Sequence, residues 1–477
     1  MMPAREMPNF EYVIPVLVIG GGACGCIAAL SAHDAGAQVL LVEQDERPMG
    51  STGMSQGLIC AAGTKAQAAL GIEDSADRYF EDIMAKTKGL TDPVLARAIA
   101  DHAGPTVDWM VEVHDLPWQL DTGFRPVYGN STFRVHGWRG HGGQDMVDLL
   151  HARMADAGID VMLGARLVEV HADDTGRIHG VTLERPDGAR ELVGCETLIL
   201  ACGGFAANHA MVAQHMPDVA HARNNGHEGS QGIGITIGQQ LGAAFGDMGA
   251  YQGYAMLTEP QGIPVPPGVP VEGGVLVNIE GNRFTNEVED IAGMVHPVLA
   301  QPGDHVWVVF DKRIEGLTDY IPEMQQLIAL NAAKKADTPE ELAALIGVPA
   351  DALATTLAEA HTAQASNQPD AQGRIWGDDK PPVAPFRAVK VVGAIFHTQG
   401  GLQIDGAARV LRADGTRLPN LFAGGGAARS VSGPAHWGYL PAMGLATAVT
   451  FGRLAGLGAA ALAQQAVDAG WQIPICG

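Results

Sequence analysis

An α/β fold, a parallel sheet wound with helices and interrupted by a second domain, is predicted by three observations on this 477-residue chain. The glycine-rich run Gly20-Gly21-Gly22-Ala23-Cys24-Gly25 follows the apolar stretch Val16-Leu17-Val18-Ile19 and precedes a helix-forming segment from Cys26 to Ala37. A β-rich run from Val39 to Val42 then ends on Glu43. Near residue 240 the texture changes, and glycine-rich sequence resumes at Phe396-His397-Thr398-Gln399-Gly400-Gly401.

The first two observations describe a Rossmann-like strand–turn–helix–strand unit. In G-x-G-x-x-G, Gly20 permits the tight turn, Gly22 lets the backbone approach a pyrophosphate, and Gly25 lets the helix pack on the strand. The N–H groups at the turn, Ala23 included, and the positive end of the helix dipole would face the phosphates. Glu43, 18 residues past Gly25, is placed to hydrogen-bond an adenosine ribose. These five residues are the predicted core of a dinucleotide site.

Ser51-Thr52-Gly53-Met54-Ser55-Gln56-Gly57 comes next, and its small and hydroxylic residues suit a loop against a cofactor, with contacts expected from Ser51, Thr52 and Gly57. Residues 75 to 113 carry helical periodicity with Pro93 in a first turn, where its missing N–H costs nothing. Met146 to Ala157 reads as an amphipathic helix, Val161 to Val170 as a strand, and Glu191 to Leu200 as a strand entering a second glycine turn at Gly203 and Gly204. The stretch 246–390 mixes turn-rich loops (Pro260 to Pro270), a strand at Val306 to Phe310 and polar alanine-rich helices such as Pro339 to Ile346. It is predicted to be an inserted α+β domain between segments 1–245 and 391–477. Leu421 to Gly426 is a strand entering a loop, and Pro441 to Leu457 is a closing helix.

Composition bounds the function. A chain 47% hydrophobic with 62 glycines supports two cores, and its net charge of −23 argues against nucleic acid or an anionic membrane as partner. The apolar stretch from Val13 to Leu30 follows Arg5, Glu6 and Glu11 and belongs to the nucleotide unit, and no other segment reads as a membrane span. Six cysteines at 24, 26, 60, 195, 202 and 476 form no C-x-x-C pair, so no metal is expected, and buried thiols in a reducing cytoplasm are. Cys24 lies inside the phosphate loop, where alkylation would block the cofactor.

These motifs together resemble the FAD-dependent fumarate reductase and 3-ketosteroid dehydrogenase family. The resemblance spans nearly the whole chain. It is carried by the nucleotide motif, Ala61-Ala62-Gly63-Thr64, Val107-Asp108-Trp109-Met110, Ala201-Cys202-Gly203-Gly204-Phe205, the run from Val277 to Glu287, His397-Thr398-Gln399-Gly400-Gly401, and Gly452-Arg453-Leu454-Ala455-Gly456. It implies an FAD domain built from both ends of the chain, a mobile cap, and a substrate between them. A return to the fold at 421–426, including Gly425, suits FAD better than a nicotinamide. The helix after Pro441, entered through Ala442, would aim its positive end at the pyrimidine edge of an isoalloxazine. Relatives that attach flavin covalently use a histidine in the loop after the second strand. Residues 50–57 hold none, so non-covalent FAD is expected.

Read against the family's dicarboxylate reductases, the reacting groups depart. The proton-donating arginine falls at Ile291, the carboxylate-gripping arginine at Tyr439, and a histidine at Tyr254, while His397 keeps its family place. Without those cations a dianion loses its charge-assisted grip. The family's ketosteroid dehydrogenases use one tyrosine to polarise a ketone oxygen and another to take a proton from the adjacent carbon. Tyr439 and Tyr254 are the expected pair, assisted by N–H groups around Ala442, with Trp437 competing for the place of Tyr439. His397 is the donor or cation that would make such a phenol usable. The patch of Arg134, His136 and Arg139 before Gly140-His141-Gly142-Gly143-Gln144 is either a structural turn or a lining of the substrate mouth or the FAD phosphates. Arg283 and Glu287 read as charges anchoring a cap loop. The expected activity is addition or removal of hydrogen across a C–C bond next to a carbonyl, on a small or cyclic ketone, with an electron acceptor or donor the sequence does not name. The alternatives are a dicarboxylate reductase with altered recognition and a flavin-carrying electron-transfer subunit.

Overall fold

The computed structural model describes residues 7–123 and 125–468, so Arg5, Glu6 and Cys476 lie outside it. The main sheet has the strand order Arg409–Leu411, Arg417–Ala423, Arg190–Leu200, Val13–Ile19, Val39–Val42, Asp160–Met162. From Arg417–Ala423 across to Asp160–Met162 every pairing is parallel. Val16, Leu17 and Val18 have no exposed surface, as a parallel strand covered on both faces requires. The α/β class and the strand–turn–helix–strand unit are thus as the sequence indicated. The helix begins at Ala23 rather than Cys26, with Gly22 at its N-cap.

The expected strand from Val161 to Val170 is two strands. Asp160–Met162 ends the parallel row, the chain turns through Gly164 at φ +60°, and Arg166–Ala172 starts an antiparallel hairpin with Ile178–Glu184 beside Arg190–Leu200. Apolar pattern alone does not distinguish one strand from two with a break. Pro93 does open the helix Pro93–His114, capped by Asp92, whose carboxylate accepts from the N–H groups of Val94 and Leu95.

The closing helix, Met443–Asp468, lies on the nucleotide helix Ala23–Asp34. A Cβ at Gly452 would sit 2.5 Å from the carbonyl oxygen of Cys24, and one at Gly456 would sit 2.2 Å from that of Ala28. Backbone therefore meets backbone, which ties the end of the chain to its start. By length and apolarity this helix would suffice to cross a bilayer, a candidate the sequence reading did not pick out. Here its apolar residues are core: Leu445, Val449, Phe451 and Ala455 are buried, and a helix apolar on most faces belongs inside a large protein.

A second sheet is organised around one long strand, Phe386–Thr398. It pairs antiparallel with Tyr251–Thr258, Val306–Asp311 and Lys334–Ala336, and parallel with Arg223–Asn224. Helices Pro339–Ile346 and Ala350–Ser366 close a separate core beneath it with Trp307, Leu342, Leu353 and Trp376. Arg283 and Glu287 are buried and paired at 2.8 Å, and Arg374 joins Glu287 at 3.2 Å. Asp370 holds the other side of Arg283 at 2.6 Å, so the network leaves no charge unpartnered, the condition under which buried charge is tolerated. The far end of Phe386–Thr398 carries His397 out of this sheet and to the edge of the main one.

Candidate active site

A cleft of about 390 Å³ runs along the carboxyl ends of the parallel strands, where open α/β sheets bind ligands. Gly20, Gly22, Ala23, Glu43, Ser51 and Thr52 line one stretch of it, and Gly203, Gly204, Gly425 and Ala442 line another. Gly20 holds φ +110°, and a Cβ at Gly25 would lie 1.8 Å from the Gly20 carbonyl oxygen. Glu43 is buried, with its carboxylate accepting from the N–H of Gly21 at 2.6 Å and of Asp45 at 2.9 Å. The Thr52 hydroxyl accepts from the Ala23 N–H at 3.0 Å. A His151 ring nitrogen meets the Gly21 carbonyl oxygen at 2.8 Å, a support for the turn that no motif announced.

Two of the predicted cofactor residues do not line the cleft. Gly25 acts through packing, and Gly57 holds φ +69° while its carbonyl oxygen accepts from Trp118 Nε1 at 3.0 Å. Gly25→Ala is accordingly expected to displace the nucleotide helix and lower bound flavin per chain several-fold. Gly316→Ala, on a helix with nothing within 4 Å of the new Cβ, should leave flavin content at the wild-type value. The absorbance ratio of flavin to protein measures both.

The far end of the cleft is built over the first turn of the closing helix. A Cβ at Gly444 would meet His397 Nε2 at 2.9 Å and Tyr439 Oη at 3.2 Å, so the two polar atoms converge there. The Tyr439 hydroxyl accepts from the Gly444 N–H at 3.1 Å and keeps its own proton to donate. Gln399 Nε2 donates to His397 Nδ1 at 2.8 Å, and Gln399 Oε1 in turn accepts from Ser432 Oγ at 2.8 Å. Nδ1 also lies 3.4 Å from the Thr398 carbonyl oxygen; the shorter contact with Gln399 assigns Nδ1 as the acceptor, which puts the imidazole proton on Nε2, at the cleft. Burial pushes the Tyr439 phenol well up and the His397 imidazole down to about 4. Both are neutral donors near pH 7. Of the two roles expected for His397, donor or cation, the geometry suits the donor, because a desolvated imidazole with no carboxylate partner favours its uncharged form.

Tyr254 also lines the cleft, stacked on Phe396 at 4.7 Å, but its hydroxyl donates to the Val265 carbonyl oxygen. Burial, with Tyr128 and Glu323 nearby, holds that phenol well above its ordinary value. A proton already given to a carbonyl oxygen and a phenolate so disfavoured make Tyr254 a wall residue, not the base expected from sequence. The group overlooked in the sequence is Glu323, in the first turn of Pro322–Ala329. Its partly buried side chain lines the same cleft, accepts from its own backbone N–H and from Gln56 Nε2 at 3.4 Å, and burial raises its carboxyl against both. Nothing marks this residue in sequence, because it lies 267 residues from its partner Gln56 in the loop it faces.

Ile291 is buried at the cleft, as the motif position indicated. Trp437 is not among the lining residues, and the Lys88 ammonium sits 4.3 Å over its ring, which leaves Tyr439 in the contested place. Among the described lining residues the one arginine or lysine is Arg166, which is paired with Glu184 at 2.5 Å. The Arg134 patch divides. Arg134 is buried between Asp74 and Asp82, and His136 Nε2 lies 2.8 Å from Thr64 Oγ1 with burial pushing its imidazole down to about 4. These two hold structure rather than phosphate. Arg139 and His141 line a neighbouring cleft of about 340 Å³ with Arg125 and Tyr320, which shares Gln56, Leu58 and Pro267 with the first. Cys24 and Cys202 are pushed up to about 12 by burial, so Cys24 is no ready target for alkylation.

The donor set fits FAD. Glu43 would hold the ribose, the Gly22–Ala23 backbone the pyrophosphate, and the Gly425 and Ala442 region the flavin ring, where any side chain at Gly20 or Gly25 would close the cradle.

The FAD binding domain family matches residues 15–438. A fumarate reductase (cytochrome) of Shewanella frigidimarina is 30% identical over 452 residues, spanning 93% of this chain and 76% of that protein. The open conformation of a flavocytochrome c3 fumarate reductase superposes with a TM-score of 0.79 at 29% identity, over 95% of this chain and 79% of the other. A 3-ketosteroid-Δ4-(5α)-dehydrogenase from Rhodococcus jostii RHA1, in complex with 4-androstene-3,17-dione, shares the fold with a TM-score of 0.71 at 24% identity, over 95% of this chain and 98% of the other.

Proposed function

The chain belongs to the FAD binding domain family that includes fumarate reductases and 3-ketosteroid dehydrogenases, and from that premise we propose that it works on the C–C bond next to the carbonyl of a small or cyclic ketone or enone. Membership makes it an FAD-dependent oxidoreductase of CH–CH bonds acting on a small molecule. The observation that carries the finer reading is the convergence of two neutral donors, Tyr439 Oη and His397 Nε2, over Gly444, with Ile291 where relatives keep a cation. Neutral donors suit a neutral oxygen, and a dianion would enter a low-dielectric cleft without a counter-charge.

In this reading Tyr439 and His397 hold the carbonyl oxygen and draw electron density from the adjoining carbon. Glu323 exchanges the proton on that carbon. Bound FAD supplies the two-electron oxidation or reduction of the C–C bond. Ser432 and Gln399 fix the imidazole proton on Nε2, and Tyr254 and Phe396 form an apolar wall against the substrate. Residues 246–390 act as a cap between the FAD-binding segments 1–245 and 391–477, with the strand Phe386–Thr398 carrying force from cap to site. The described cysteines are free, which supports a cytoplasmic setting. A dicarboxylate reading needs a guanidinium at this end, and Arg125 is engaged with Asp379 at 2.8 Å in the adjoining cleft.

The test is anaerobic spectroscopy of the holoenzyme. Cyclic ketones should bleach the oxidised flavin, or the matching enones should restore colour to the chemically reduced one, while succinate and fumarate do neither. Recovery of colour with fumarate and with no enone would overturn the proposal.

A further inference from the structure

Away from the cleft, three chain segments bring metal-ligating atoms to one point. Asp218 lies in the short turn Pro217–Val219, His296 in Val295–Leu299, and His436 in the turn His436–Gly438 just before Tyr439. His296 Nε2 lies 2.9 Å from His436 Nδ1 and 3.3 Å from Asp218 Oδ2. Tyr251 Oη lies 2.5 Å from the same His296 nitrogen and 3.2 Å from Asp218 Oδ2. Among the described residues no other three His, Cys, Asp or Glu side chains bring their ligand atoms within 4.8 Å of one another.

Hydrogen bonding alone does not account for this arrangement. An imidazole nitrogen offers one bond direction, a lone pair or an N–H, yet three polar atoms crowd His296 Nε2. We propose that Asp218, His296 and His436 form a binding site for one divalent transition-metal ion of the zinc class. Two imidazoles and one carboxylate are a borderline-soft donor set that selects zinc and its first-row neighbours over magnesium or calcium, which want oxygen alone. Zinc–nitrogen bonds of about 2.0–2.1 Å put tetrahedral donors roughly 3.3 Å apart, close to the 2.9 and 3.3 Å separations here. Small side-chain adjustments would centre an ion among them.

Access and charge agree. The Asp218 side chain is half exposed, so an ion and a completing water can enter from solvent. Two cations lie near His436: the Lys88 ammonium, 4.3 Å over the Trp437 ring, and Lys86, paired with Asp290 at 3.5 Å. Tyr251, donating to Asp218 Oδ2, is the group that would orient the carboxylate. A bound ion would cross-link Val295–Leu299 to the loop that carries Tyr439, and so fasten the second-sheet segments to the start of the closing helix.

The experiment uses tag-free holoenzyme dialysed against EDTA, titrated with Zn²⁺ by calorimetry and with Co²⁺ by visible absorption. One ion per chain should bind, Co²⁺ should develop ligand-field bands, and Zn²⁺ should raise the melting temperature. His296→Gln, His436→Gln and Asp218→Asn should each weaken binding about 10-fold or more, with flavin absorbance reporting that each variant is folded. Asp218→Asn, at a half-exposed position, keeps the test decisive should a histidine variant misfold. Absence of saturable binding to the wild type, or Zn²⁺ affinity unchanged in Asp218→Asn and in every folded histidine variant, would overturn the site.

Discussion

Tyr439→Phe is expected to slow substrate-dependent bleaching of the bound flavin roughly 10²-fold, the scale of losing one oxyanion donor, while flavin content and melting temperature stay near wild type. The hydroxyl accepts from the Gly444 N–H at 3.1 Å, so its own proton is available to a substrate oxygen. Its removal leaves the ring, which is 4% exposed and packed, in place. The lost Gly444 contact is at a helix terminus, where an unpaired N–H can be rehydrated in an open cleft. The effect should therefore fall on kcat rather than on folding. His397→Gln retains an amide N–H donor and should be milder than His397→Ala, which tests whether Nε2 donates rather than titrates. Rates within threefold of wild type in Tyr439→Phe would remove the hydroxyl from the mechanism.

How far the sequence reaches can be judged from these same residues. Gly20, Gly22 and Glu43 were legible because a strand, a turn and a helix at fixed spacing leave few alternatives to a phosphate-binding βαβ unit. Tyr439, Ile291 and His397 were legible by place alone, since a motif order maps positions without giving protonation. What escaped depends on long-range contact. Gln399 sits two residues from His397, but its role emerges through Ser432, across a loop. The Tyr254 hydroxyl is taken up by Val265, on a segment whose path no pattern fixed. For Arg134 the sequence left a structural turn, the substrate mouth and the FAD phosphates open, and Asp74 and Asp82, more than fifty residues away, are what neutralise it. Charge in a sequence advertises chemistry, whereas its partner decides whether that charge is free to act.

Glu323→Gln is expected to cost the most, roughly 10²–10⁴ in kcat, the range of a lost general acid–base. The side chain projects into the cleft from a helix first turn, where its own backbone N–H and Gln56 Nε2 at 3.4 Å are its hydrogen-bond partners, and burial outweighs both. Burial raises its pKa, the direction that brings a carboxyl towards the working range of a proton-exchanging group. Glutamine keeps the volume and the contact with Gln56 but cannot carry the proton. Flavin content and ketone binding, measured as spectral perturbation of the flavin, should hardly move. In the dehydrogenating direction the wild-type rate should climb with pH as Glu323 ionises, and that ascending limb should vanish in the variant. Stability carries the same signature with its own sign. A carboxyl whose folded pKa is raised binds more protons in the native state than in the unfolded one between its ordinary and raised values. Stability must then fall as pH rises through that interval. Thermal melts across the weakly acid range should show this decline in wild type and lose it in Glu323→Gln. A variant that kept both the decline and the pH–rate limb would place the exchanging proton on another group.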